Sequence, residues 1–118
     1  MSLQIKQLYR AQLGTGETDL YAPGTGKAAI IKSIRLVNTS ASPVTVNLFL
    51  KRAAASSSAG GGMRIIPKDL SLGPGAAFID DSELTLEYVD GSNRDWVRGL
   101  AGANNAVDCV ISGVERDV

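Results

Sequence analysis

Apolar and polar residues alternate with a period of two over short stretches of this chain. The cleanest stretch is Val44-Thr45-Val46-Asn47-Leu48-Phe49-Leu50-Lys51. Successive side chains of an extended strand point to opposite sides, so Val44, Val46, Leu48 and Leu50 fall on a core face. Thr45, Asn47, Phe49 and Lys51 then share the outward face. Pro43 precedes the run, where a missing N–H is harmless, and residues 38–42 supply turn chemistry. Residues 29–37 are read as the hairpin partner of this strand. Their even positions are mostly apolar, but Lys32 interrupts them. Either a bulge near Lys32-Ser33 brings Ile31 and Ile34 to one side, or Lys32 snorkels at the sandwich edge.

Similar runs are predicted at 5–12, 19–22, 63–72, 76–79, 84–89, 96–101 and 107–114. Pro67 points to an edge or bulge in its run, and Leu84, Leu86 and Tyr88 share a face of theirs. No window carries a sustained helical stripe. Short strands punctuated by Gly, Pro, Asn, Asp and Ser predict an all-β, antiparallel β-sandwich with jelly-roll-like connections and about eight or nine strands. The whole of 1–118 is read as one domain. Within it, 53–62 (Ala, Ser and Gly) is expected to be a flexible loop, and 90–94 a turn. Met1-Ser2-Leu3 reads as an expression scar and is set aside.

Composition narrows the chemistry. The 118 residues are 44% hydrophobic, enough for a packed core. The absence of histidine removes the Ser-His-Asp and Cys-His nucleophile systems and the commonest general base. A single cysteine excludes an internal disulfide. Twelve basic side chains balance twelve acidic ones, which argues against nucleic acid as a partner. No apolar run reaches a membrane-spanning length and no secretory leader opens the chain, so no membrane association is expected. The reading is a soluble protein that is not an enzyme, with no catalytic residue, cofactor or metal.

Individual motifs fit that reading. Gly24-Thr25-Gly26-Lys27 lacks the flanking glycine and the following Ser or Thr of a phosphate loop and reads as a turn. Gly14-Thr15-Gly16 reads likewise. Asp80, Asp81 and Glu83 form an acidic cluster, either a solvated loop, a contributor to a cation site, or an acid/base pair. Cys109 is expected to be a buried, inert thiol. Arg94 and Arg98 with Asp90 and Asp95 read as ordinary exposed ion pairs. Phe49 and Trp96 are either lone surface aromatics or anchors of an oligomer or partner contact. Leu8, on the Lys6/Arg10 side of the first strand, joins them.

The stretch Leu20-Tyr21-Ala22-Pro23-Gly24-Thr25-Gly26-Lys27, running on to Ile31-Lys32-Ser33-Ile34 and Val37-Asn38-Thr39, resembles small structural proteins of tailed bacteriophages. The turn of residues 67–75, Asp95-Trp96-Val97-Arg98-Gly99, and Ser112-Gly113-Val114-Glu115 fit the same pattern, over roughly 18–115. The bland 53–62 loop and the turn at 90–94 depart from it. The resemblance implies a β-sandwich virion part (tail, baseplate or head decoration) made in the bacterial host cytoplasm. It implies homo-oligomers in contact with other virion proteins and carries over no catalytic or metal residue. A second reading is a carbohydrate- or ligand-binding module using Trp96, Tyr88, Asn93 and Asn104. A third is a hydrolase using Asp80, Asp81 and Glu83.

Overall fold

A computed structural model describes residues 3–53, 62–90 and 93–117, with side chains for 5–52 and for the latter two segments. The Ala/Ser/Gly loop expected at 53–62 falls outside the described residues over 54–61, as does the tip of the 90–94 turn. Eleven strands form among the described residues, and no helix. They are β1 (Leu3–Gln12), β2 (Thr18–Tyr21), β3 (Lys27–Asn38), β4 (Val44–Ala53), β5 (Met63–Arg64), β6 (Leu70–Leu72), β7 (Ala77–Asp80), β8 (Leu84–Leu86), β9 (Tyr88–Asp90), β10 (Asn93–Ala101) and β11 (Val107–Asp117). Leu3 pairs with Arg116 and so already lies within β1.

All pairings are antiparallel. The first sheet runs β1-β11-β3, with β7 and β8 sharing the far side of β3. The second has β10 and β4 at its centre. Both β2 and β9 lie along β10, and β5 and β6 lie along β4. Each sheet thus offers four strand positions, and the chain crosses repeatedly between sheets. This is the expected antiparallel β-sandwich, and its strand order is that of a jelly roll.

The strand number exceeds the predicted eight or nine because two predicted runs are broken. The 63–72 run breaks around Pro67, which cannot donate to a ladder. The 84–89 run breaks at Glu87, where the chain leaves β3 for β10. There the Asp95 carboxylate accepts the Glu87 N–H at 2.9 Å, and the Asp95 N–H donates to the Glu87 carbonyl at 2.9 Å.

The expected β3–β4 hairpin is corrected. β3 pairs with β11, β7 and β8, whereas β4 lies in the other sheet. Periodicity places a strand's core face but does not say which strand lies beside it. The intervening turn is a crossover pinned by Asn38, which is fully buried. Its side-chain amide donates to the carbonyls of Ser42 at 2.8 Å and Leu72 at 2.9 Å. Its Oδ1 accepts from the N–H and hydroxyl of Ser40 at 2.9 and 2.7 Å. One side chain therefore ties the turn to the end of β6 and keeps its own polar atoms satisfied.

The bulge in β3 is present, and it decides which residues enter the core. Ser33 pairs with Ser112 but Ile31 pairs with Gly113, so Lys32 is the extra residue. The inward set becomes Ala29, Ile31, Ile34, Leu36 and Asn38, all buried, while Lys32 stays exposed beside Glu83. Ile31, Leu36, Val46, Leu48, Leu86, Val97, Val107 and Ile111 are fully covered between the sheets. Each such side chain contributes about 1.5–3 kcal/mol by leaving water. Cys109 is packed among them, and burial pushes its thiol pKa up to about 12, as expected of an inert cysteine.

Candidate functional site

The outer face of the second sheet is built from alternate residues of its two central strands. On β4 these are Thr45, Asn47, Phe49 and Lys51, and on β10 they are Arg94, Trp96, Arg98 and Leu100. Register sets Phe49 beside Arg98 and Trp96 beside Lys51. On the flanks, Arg64 pairs with Phe49 and Asp19 pairs with Arg98. A continuous row therefore crosses the sheet as Arg64, Phe49, Arg98 and Asp19. Tyr88 of β9 pairs with Arg94 and adds a third ring at the margin.

An outward sheet face of a lone domain is usually wet, but this one is closely filled. Asn47 and Arg98 are buried on it, and Phe49 and Trp96 are half-buried. The guanidinium of Arg64 lies 4.8 Å from the centre of the Phe49 ring, and that of Arg94 lies 5.1 Å from the Trp96 ring. A cation over a ring face is attracted by its quadrupole, by about 0.5–1 kcal/mol at exposed sites.

Each guanidinium is also held from the side. Arg64 donates to Asn47 Oδ1 at 2.6 Å, and the same oxygen accepts the Asp69 N–H at 2.9 Å. Asn47 donates in turn to Asp69 Oδ1 at 3.0 Å. Arg94 donates to the Pro23 carbonyl at 3.1 Å. Arg98 is ion-paired to Glu17 at 3.2 Å and to Asp19 at 2.9 Å. The rings are thus backed by side chains already fixed in place, which reduces the ordering entropy a partner must overcome.

Phe49 and Trp96, singled out from sequence, are brought onto one face by β4 and β10. Leu8 is not. It is the extra residue of a bulge in β1, between Gln7 paired with Ser112 and Tyr9 paired with Ile111, and it packs half-buried against the core. The bulge also separates Lys6, ion-paired to Glu115, from Arg10, and both side chains are exposed.

The expected exposed pairs among Asp90, Arg94, Asp95 and Arg98 are corrected as well. Arg98 and Asp95 are both buried, on opposite faces of β10. Asp95 takes Arg52 as its partner, at 2.8 Å. Residues three apart on a strand face opposite sides, so sequence proximity misled. The cationic backing of the rings also escaped the sequence reading. For Arg94 the signal was available in the Arg94-Trp96 spacing, which puts both on one strand face, but Arg64 reaches Phe49 only through the pairing of β5 with β4.

Of the residues considered for a glycan site, Tyr88 and Trp96 share the outer face on β9 and β10, whereas Asn93, three residues from Trp96, falls on the other side of β10. Asn104 sits in the loop after β10 and accepts the Thr15 N–H at 3.0 Å. The acidic cluster does not converge. Asp80 caps the Ser82 N–H, Glu83 pairs with Lys32, and no three acidic or cysteine side chains among the described residues form a metal-holding group. Gly24–Lys27 is a turn between β2 and β3, closed by the Lys27 N–H on the Gly24 carbonyl at 3.0 Å.

A separate polar centre closes one end of the core. Buried Glu115 accepts from the Tyr21 hydroxyl and from Lys6 Nζ, the latter at 3.0 Å. Burial pushes the Glu115 carboxyl up, but Tyr21, Lys6 and Lys27 together outweigh it, and the net direction is down. Burial and the adjacent carboxylate both push the Tyr21 hydroxyl up. Comparison of the chain with protein families and with curated proteins gave no match.

Proposed function

We propose that this chain is a non-enzymatic structural subunit of a tailed-phage or prophage virion, held in its assembly through the outer face of its second sheet. The observation that carries the reading is the pair Phe49 and Trp96, laid on that face with Arg64 and Arg94 fixed over their rings. Large, pre-ordered aromatic and arginine side chains are the residues that anchor protein contacts. The jelly roll is a fold used by capsid proteins. The phage-like Leu20–Lys27 entry and the Ser112–Glu115 close fall in β2–β3 and β11, where such a domain needs its turn and central strand.

Light scattering tests the reading. Phe49→Ala and Trp96→Ala should each lower the oligomer mass while leaving the melting temperature within a few degrees of wild type. An unchanged mass in both variants rejects it.

A second reading draws on Tyr88 and Trp96, two rings at one margin of the same face, an arrangement that suits stacking on a sugar ring. In that case the protein would bind components of a glycan array, and Trp96→Ala would abolish the binding.

A further inference from the structure

The first sheet ends in two edges of opposite charge. β1, on one side, carries Lys6 and Arg10 and no acidic residue between Leu3 and Gln12. The β7–β8 edge, on the other, carries Asp80, Asp81 and Glu83 and no basic residue between 77 and 86. Lys6 and Glu83 are engaged within the chain, with Glu115 and Lys32 respectively. Arg10 and Asp81 make no ion pair among the described residues, and both are exposed. Exposed apolar side chains accompany each edge: Ile5 on β1 and Ile79 on β7 are 89% and 52% exposed.

Register sets these features level with one another. Following the pairings across the sheet, Arg10 lies in the row of Val110, Arg35 and Ile79. Tyr9 lies in the row of Ile111, Ile34 and Asp80. Lys6 lies in the row of Gly113, Ile31 and Leu84. Residues 81–83 therefore span the same height of the sheet as the segment between Tyr9 and Lys6. Strand direction also matches. The four positions alternate, so β1 runs antiparallel to β7, and a second copy laid beside the first in the same orientation continues the alternation across the joint.

We infer that copies of this chain join edge to edge, β1 of one against β7–β8 of the next. Charge selects this pairing over the alternatives. Two β1 edges would bring Lys6 and Arg10 against their own kind, and two β7–β8 edges would oppose Asp80 and Asp81, arrangements that destabilise cross-strand pairs. Only the head-to-tail joint matches opposite signs, and the lysine, arginine and bulge that blunt β1 against its own copies leave it open to an acidic strand. A heterologous joint of this kind builds rings where the rotation closes and filaments where it does not. The inference shares with the proposed function the premise that copies assemble, but places the contact on another surface.

Sedimentation velocity at low salt, over a range of protein concentrations, tests it with wild type, Arg10→Glu, Asp81→Lys and the two combined. Wild type should show a mass that rises with concentration and falls in high salt, where exposed charges are screened. Each single reversal should weaken association roughly tenfold or more, and the combined variant, which restores opposite signs at the joint, should recover it. Circular dichroism checks that all four proteins fold. A wild type that stays monomeric, single reversals that leave the mass unchanged, or a combined variant that fails to recover each overturns the inference. Loss of mass in Phe49→Ala or Trp96→Ala alone, with the charge variants unaffected, would uphold the proposed function and reject the edge joint.

Discussion

Gly113 stands opposite the β3 bulge, and its replacement by alanine is the sharpest single test of how the first sheet is held. A Cβ built there would lie 2.2 Å from the Ile30 carbonyl oxygen and 3.1 Å from the Ile31 Cα. Ordinary van der Waals contact begins near 3.4 Å, and both obstructing atoms are backbone within a paired strand. No rotamer change relieves the clash. Either β3 moves away from β11, or the bulge is lost and Ile31 and Ile34 can no longer both face the core.

Overpacking of this kind costs about 3 kcal/mol or more. Loss of glycine's freedom in the unfolded chain offsets about 0.5–1 kcal/mol. The net loss of about 2–3 kcal/mol is a large part of the about 5–15 kcal/mol that holds a domain folded. At about 4 °C per kcal/mol for a chain of this size, the melting temperature should fall by about 8–12 °C. Calorimetry or thermal circular dichroism measures this. Gly16→Ala serves as the control, since nothing lies within 4 Å of its would-be Cβ. Melting of Gly113→Ala within about 2 °C of wild type would refute the steric account of the bulge.

Three further outcomes are expected. Asn38→Ala strips the partners from the carbonyls of Ser42 and Leu72 and should lower stability in urea by about 3 kcal/mol. Asn38→Asp should also destabilise, because a carboxylate cannot donate to either. Glu115 has its carboxyl pKa lowered in the fold, so the unfolded chain takes up that proton first, near about pH 4.3. Its stabilisation is therefore complete above that pH and lost as pH falls through the folded value. Glu115→Gln should flatten the melting temperature against pH in that acidic window, and an unchanged slope would show that other carboxylates set it.

The sheet architecture was legible in the sequence because period-two alternation reports which side of a strand is buried. It identified the β4 faces and offered the bulge at Lys32-Ser33 as one of two readings, while Pro67, read as an edge or bulge, marks a full break between β5 and β6. What it could not report is lateral neighbourhood. The alternation of β3 and of β4 is the same whether they share a sheet or oppose each other, and only the crossover anchored by Asn38 separates the two cases. Leu8 was misplaced for a related reason. A bulge in β1 shifts the phase of everything beyond it, and no Gly, Pro or charge break marks the spot. Phe49 and Trp96 could be found because an aromatic on a polar face stands out. Arg98 was taken for a surface charge because its partners, Glu17 and Asp19, are distant in sequence and meet it only when β2 lies down beside β10.

The placement of β10 and β11 at the centres of their sheets bears on how the molecule is made. Until residues 93–117 leave the ribosome, β1 and β2 lack the strands they pair with, and only the β3–β7/β8 and β4–β5/β6 pairings can form. Folding by such distant pairings is slow. A truncated translation product would leave apolar strand faces and unpaired edges open, the features that make a partly folded chain prone to aggregate.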